Sequence, residues 1–445
     1  MKTILVIGAG KSSRVLVDYL LEQGTIKDYN LILADAKVDL AEKMLMSHNR
    51  GQAIQLNIEN QEERRGVISR ADVVVSMLPA FLHPFVAKDC LALEKHFFSA
   101  SYESEEMRLL GQEVAEKGLF FLNECGLDPG IDHMSAMKII DEEKAGGSTI
   151  VLFKSYCGGV LSPESEKDNP WKYKFTWNPR NVVLAGQGVS RFIRNGKYKF
   201  VPYHMLFRRT DAVNFDEVGE FDGYANRNSL GYRSVYGLEN IPTIIRGTLR
   251  RAGFCKSWDV LVQLGLTDDT FKVELPEGFT MREFFNAFLP FDPVHKAEEK
   301  LQNLLPWVDS EILYKLEWLG LFSNEALPLL KGSPAEMLQV ILEKKWAMQA
   351  DDHDMVVMQH QFEVITANEE KKHIQSSLVI KGENRDYTAM AKTVGLPLAI
   401  AVDMFLQGEI KLTGLYLPTK VEIYRPILRK LAEKGIGFKE EVCYE

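Results

Sequence analysis

With 445 residues and a formal charge of −9 at pH 7, the chain is long enough for two or three domains, and its charge favours neither nucleic acid nor an anionic membrane as partner. The composition, 46% hydrophobic and 26% charged, is that of a soluble globular protein, with no basic block, signal-peptide pattern or apolar run of spanning length expected. Five dispersed cysteines without a C-x-x-C pair point to reduced thiols and a cytoplasmic setting, and the nine histidines, lacking ligand spacing, predict no metal.

The chain begins with TILVIGAGKSSRV, read as a buried parallel strand at Ile4–Ile7, a glycine turn, and a helix starting near Ser12. Gly8 and Gly10 let the backbone turn sharply and approach a pyrophosphate, toward which the helix points its first amides. LILADA is a second strand, and Asp35 falls where a ribose-binding carboxylate is expected. That carboxylate accepts a hydrogen bond from a free 2′-hydroxyl and repels a 2′-phosphate, which favours NAD over NADP; Lys37 softens the preference. The third small position of the turn is Ser13 rather than Gly or Ala, so close helix–strand packing requires adjustment.

Further strands are expected at Ala71–Ala80, His96–Tyr102 and Leu119–Glu124, with helices over His83–Lys95 and Ser104–Gly118 between them. This alternation predicts a doubly wound parallel sheet. Ligands bind such sheets beyond the carboxyl ends of the strands, so Gly8, Asp35, Ser76–Pro79, Ser101–Tyr102 and Gly126–Asp128 should border one crevice.

From Thr149 onward the pattern becomes mixed. Ser148–Gly159 reads as a strand, with strand-like patches at Tyr173–Trp177, Lys199–Val201 and Phe271–Val273 and a hairpin at Val364–Gly382. Leu, Glu, Lys and Trp at helical spacing mark an insertion from Thr280 to Asp352. An apolar helix in YTAMAKTVGLPLAIAVDMFLQG carries a small-residue face and is expected to return to the first domain. The resulting division is a dinucleotide-binding domain over 1–130, an α/β substrate domain over 131–279 and 353–388, a small helical domain over 280–352, and a C-terminal segment over 389–445.

Two constellations bear on chemistry. NECGLDPGIDH contains Asp-Pro-Gly, a strong turn former; it reads either as a tight connection or as a device holding Asp128 toward Tyr102, where either side chain anchors substrate or accepts a proton. Arg227, Arg233, Arg246, Arg250 and Arg251 lie among small and aromatic residues. Such arginines are commonly solvated or structural, but a pair of them suits a substrate with several carboxylates.

The blocks ECGLDPGIDHMSAMKIID, KSYCGGVLSPES, NPWKYKFTW, YANRNS and IIRGTLRRAGF, with ASY before them and YTAMAKTVGLPLAIA after, resemble the glutamate-forming saccharopine dehydrogenases, also called saccharopine reductases. The resemblance spans essentially the whole chain. It implies a Rossmann domain, an α/β substrate and dimerisation domain, a helical domain and a homodimer. It also implies interconversion of saccharopine with glutamate and 2-aminoadipate 6-semialdehyde, by hydride transfer to a nicotinamide cofactor and imine hydrolysis in lysine metabolism. By motif, Ser101, Tyr102, Asp128, Phe175, Arg227, Thr248, Leu249 and Arg250 are the implied substrate positions, with Asp128 and Tyr102 as proton-transfer candidates. Gly8, Ala9, Gly10 and Lys11 match the cofactor turn and Ser76, Met77 and Leu78 lie where a strand end flanks the cofactor; Asp35 joins these cofactor positions from its place at the end of the second strand.

Two departures stand out. Fungal members tend to have Cys-Arg after the second strand, where this chain has Ala34-Asp35, which resembles the NAD-using half of plant and animal lysine-degrading enzymes. YANRNS has Ala where the family usually has Pro. No lysine-ketoglutarate reductase half is expected. The rivals are a dehydrogenase of another amine-linked amino acid such as carboxynorspermidine, whose cationic tail calls for acids where Arg227 and Arg250 stand, and a catalytically silent NAD-binding regulator, which would be expected to lose the substrate motifs.

Overall fold

The computed structural model describes all 445 residues, in two compact units: Met1–Ile150 with Val364–Glu445, and Val151–Glu363. In the first, strands β1 (Lys2–Ile7), β2 (Tyr29–Asp35), β3 (Gly51–Gln55), β4 (Val73–Ser76), β5 (His96–Ser99) and β6 (Phe120–Leu122) alternate with helices. They pair in parallel in the order β6-β5-β4-β1-β2-β3. Ile4–Ile7 and Val73–Val75 are at most 1% exposed, because helices on both faces of a parallel sheet demand continuous apolar runs. Ile7 lies opposite both Ala34 and Ser76, and Ser76 opposite Ser99, so the carboxyl ends of the four central strands are level. The helix expected near Ser12 opens as a 3₁₀ turn at Lys11–Ser13 and becomes α-helical at Arg14.

The second unit contains most of β7 (Thr149–Leu161), β8 (Val189–Arg194), β9 (Lys197–Pro202), β10 (Thr210–Phe215), β11 (Gly219–Ala225), β12 (Thr243–Arg251), the short β13 (Val273–Glu274) and β14 (Lys331–Gly332), and most of β15 (Asp354–Ile365). Strand β12 is antiparallel to β11 and parallel to β7, so this sheet is mixed. Helices at Met281–Asn286, Ala297–Leu304, Ser310–Trp318 and Pro334–Lys345 fill the expected insertion and group with this unit. Tyr173–Trp177, expected as a strand, is irregular. Tyr173 and Phe175 instead join Trp171, Phe254 and Trp346 in a buried cluster: aromatic residues favour burial, and a strand is only one way to achieve it.

The chain then re-enters the first unit through β16 (Lys371–Lys381), the helix Ala389–Leu406, β17 (Gly414–Tyr416), which adds a seventh parallel strand beside β6, and β18 (Lys439–Tyr444), antiparallel to β16. Residues 131–150 and 364–388, assigned to the substrate domain from sequence, group with the first unit in the structure.

The helix Ala389–Leu406 corrects the expectation of no spanning run, since by length and composition it could cross a membrane. Most of it is buried inside the protein. Gly395 allows it to approach the first long helix closely, as a Cβ there would lie 3.0 Å from the Leu16 amide nitrogen. Near its end the buried Asp403 accepts hydrogen bonds from Lys27 at 2.7 Å and the Tyr29 hydroxyl at 2.6 Å. Burial, together with the bond to the carboxylate, raises the Tyr29 phenol, which therefore stays protonated and donating. Asp403→Ala is expected to destabilise the fold by about 2–4 kcal/mol, since the lysine and the phenol lose their buried acceptor; chemical denaturation measures this.

Candidate functional site

The glycine turn is built by close backbone contacts. Gly8 has φ +111°, and a Cβ on it would lie 2.9 Å from the Met77 carbonyl oxygen, so only glycine suits both the conformation and the gap. Beyond it, a Cβ on Gly10 would meet nothing within 4 Å, and the Gly10 and Lys11 amides stand at the start of the helix. That combination of open space and helix-terminal amides is the donor set a pyrophosphate requires, so the turn fits a dinucleotide. Ser13 is accommodated by donating its hydroxyl to the Gly8 carbonyl at 2.8 Å.

Asp35 does more than the sequence suggested. Its Oδ2 accepts the Ala9 amide at 2.8 Å and its Oδ1 the Lys37 amide at 2.9 Å, so it braces the turn as well as ending β2. Ser76 is buried at the end of β4, Met77 follows against Gly8, and Leu78 packs on the apolar core. Lys11 is exposed.

Ser101 and Tyr102 follow β5, and Asp128 lies in the turn after β6. The Tyr102 hydroxyl donates to Asp128 Oδ1 at 2.9 Å, which joins the two proton-transfer candidates. Strand β5 ends at Ser99, so both Ser101 and Tyr102 stand on a loop rather than on the expected strand. The turn is compact: the Asp128–Pro129 peptide is cis, the Gly126 amide donates to the Pro129 carbonyl at 2.9 Å, and Gly130 has φ +146°.

His83 was missed. Its Nδ1 lies 2.8 Å from Ser76 Oγ and its Nε2 2.7 Å from Ser101 Oγ, so one imidazole bridges an expected cofactor residue and an expected substrate residue. Burial lowers its pKa to about 4, leaving a neutral ring with one donor and one acceptor. The unfolded chain takes up a proton near pH 6.5 and the folded one only near pH 4. Stability therefore falls as pH drops through that window, by about 3 kcal/mol. Unfolding free energies at pH 7 and 4 should show this loss, and a His83→Gln variant should lack it. No spacing rule marked this histidine, because its partners lie 7 and 18 residues away.

In the second unit, Arg250 is 4% exposed at the end of β12. Its guanidinium lies over the rings of Tyr173 and Phe254, 5.0 and 5.7 Å from their centroids, and donates to the Leu249 carbonyl. No carboxylate of the chain pairs with it. Phe175 joins the same aromatic cluster through Tyr173 and Trp346. Leu249 is fully buried, and Thr248 faces Tyr224 across the β11–β12 ladder. Arg227 is exposed just beyond β11, with φ +44° and its carbonyl accepting the Arg191 amide at 2.7 Å. A cleft of about 490 Å³ in this unit, between Phe207, Arg208, Lys256 and Trp307, involves none of the expected substrate residues.

A parallel sheet whose glycine turn, acidic strand end and polar loops share one edge, in a chain that also carries a mixed α/β unit with a buried unpaired arginine, defines a dinucleotide-dependent enzyme class. Family descriptions of a saccharopine dehydrogenase NADP binding domain and a saccharopine dehydrogenase C-terminal domain match residues 4–122 and 126–436. The chain belongs to the saccharopine dehydrogenase family.

It is 31% identical over 454 residues to saccharopine dehydrogenase (NADP(+), L-glutamate-forming) of Schizosaccharomyces pombe, covering 100% of both chains. It is 34% identical over 452 residues to the mitochondrial alpha-aminoadipic semialdehyde synthase of Bos taurus, covering 98% of this chain but 47% of that protein; the chain thus spans about half the length of that relative. The apo saccharopine dehydrogenase (L-Glu forming) of Saccharomyces cerevisiae superposes with a TM-score of 0.90 at 31% identity over 100% of both chains. These likenesses match the family and fold expected from the sequence.

Proposed function

We propose that the chain oxidises saccharopine with a nicotinamide dinucleotide, releasing glutamate and 2-aminoadipate 6-semialdehyde. The full-length similarity to fungal enzymes of that name supports the substrate. The structural observation that carries the reading is Arg250. A buried guanidinium with no carboxylate of its own is costly, and a substrate with three carboxylates supplies the missing anion. The nicotinamide supplies the hydride acceptor. The chain's own residues do the rest. Gly10 and the helix-terminal amides hold the pyrophosphate, Arg250 fixes a carboxylate, and Asp128 with the Tyr102 hydroxyl takes up and returns protons at the substrate amine as the imine is hydrolysed.

Cofactor preference is the finer part of the proposal. The fungal relatives are named for NADP(+), whereas Asp35 keeps a negative charge at the end of β2 that opposes a 2′-phosphate; on this residue we infer a preference for NAD. Absorbance of the reduced nicotinamide with saccharopine and each cofactor tests both parts. Faster reduction of NAD supports them together. Faster reduction of NADP keeps the reaction and reduces Asp35 to a brace for the turn. Reduction of neither, by protein that still binds dinucleotide, overturns the substrate assignment.

A further inference from the structure

Behind the Tyr102–Asp128 pair lies a buried acid–imidazole–acid cluster that neither the motif reading nor the proposed chemistry uses. Glu124, His133 and Asp132 are 3%, 0% and 1% exposed. Glu124 has φ +56°, a left-handed conformation uncommon for a residue with a side chain. That kink at the end of β6 accompanies a carboxylate that ties two segments together. Its Oε1 accepts the amide of Glu103, the residue after Tyr102, at 2.9 Å. Its Oε2 lies 2.8 Å from His133 Nε2; because a carboxylate only accepts, this nitrogen carries the proton and donates.

His133 Nδ1 faces Asp132 Oδ2 at 3.5 Å, and Asp132 Oδ1 accepts the Gly130 amide at 2.6 Å. The backbone closes the same arrangement, since the Glu124 amide donates to the Ser101 carbonyl at 3.1 Å and the Cys125 amide to the Ser99 carbonyl at 3.1 Å. The ties therefore run from the residue after Tyr102, through Glu124 and His133, to the glycine two residues after Asp128.

We propose that His133, held between Glu124 and Asp132, is a positioning residue that keeps the loop bearing Tyr102 in register with the turn bearing Asp128. Neither side chain of the pair is on a regular element. Tyr102 is on a loop and Asp128 in a tight turn, so their 2.9 Å contact depends on what joins those two segments. A buried network whose members each have partners is rigid enough for this task, and a site held by such supporting contacts is more accurately placed than one left to its loops. His133 touches neither substrate nor cofactor in this role. The functional consequence rests on the proposed saccharopine oxidation, whereas the geometric one does not.

The test compares His133→Phe, which keeps the ring shape and loses both nitrogens, with His133→Gln, whose amide reaches the Nε2 position and can still donate to Glu124. The expected result is a fall in kcat for saccharopine oxidation of about 10²-fold in His133→Phe, the scale of a misplacement near 1 Å, with KM for the dinucleotide unchanged and most of the rate recovered in His133→Gln. Crystal structures of both variants supply the second readout. The Tyr102 hydroxyl should leave Asp128 in His133→Phe and remain in hydrogen-bond contact in His133→Gln.

An unchanged Tyr102–Asp128 contact in His133→Phe overturns the proposal, as does an equal loss of rate in both variants. If His133→Phe does not fold, His133→Asn, too short to reach Glu124, replaces it with the same expected outcomes. If the wild-type protein oxidises no saccharopine with either cofactor, the functional reading fails, and the crystallographic comparison still decides the positioning role.

Discussion

Asp128→Ala is expected to lower saccharopine turnover by about 10²–10⁴-fold, the usual contribution of a positioned proton-transfer group, and to leave dinucleotide affinity unchanged. The separation of the two effects follows from where the groups lie. The cofactor turn is made by Gly8, Gly10 and Asp35, whereas Asp128 accepts the Tyr102 hydroxyl at 2.9 Å in the turn after β6. Removing the carboxylate leaves the phenol without that acceptor and the substrate amine without its proposed base. The Gly126–Pro129 and Gly130 backbone contacts that shape the turn are independent of the carboxylate, so the local fold is expected to survive. Steady-state kinetics paired with fluorescence titration of the reduced cofactor measures both quantities. Equal losses of turnover and cofactor affinity would show that Asp128 acts only as part of the turn.

Arg250→Met is expected to raise KM for saccharopine by about 30-fold or more, since truncating one partner of a buried charge pair costs about 2–5 kcal/mol in binding. The unliganded protein should be as stable as the parent or more stable. That second expectation distinguishes a binding arginine from a structural one. The guanidinium is buried over Tyr173 and Phe254 with no carboxylate of the chain beside it, and methionine fills a similar volume without the desolvation penalty of a charge. Thermal unfolding without ligand and initial rates against saccharopine concentration decide the matter. A marked drop in unfolding temperature with KM unchanged would assign Arg250 to the aromatic cluster instead.

How these residues became visible differs from case to case. Gly8, Gly10 and Asp35 were legible in the sequence because a strand, a turn and a helix are contiguous, and local backbone rules apply to contiguous segments. Asp128 was legible as a turn residue and, through the family motif, as a candidate for the site. That it holds the Tyr102 hydroxyl was only an expectation until β5 and β6 were seen side by side. His83 gave no signal, because a histidine bridging two serines 7 and 18 positions away has no period or spacing to detect. Tyr173–Trp177 gave a misleading one, since aromatic residues mark burial and the expected strand is an irregular segment on an aromatic cluster.

The parallel sheet, the glycine turn and the family were all legible along the chain, because continuous apolar runs, punctuating glycines and long motifs are properties of adjacent residues. Three things emerge only when the chain packs: the grouping of residues 131–150 and 364–388 with the first unit, the isolation of Arg250 from any carboxylate, and the buried Glu124–His133–Asp132 network behind the Tyr102–Asp128 pair. Each depends on which side chains meet, or fail to meet, once distant segments pack, and burial then sets the electrostatic consequence of every such contact.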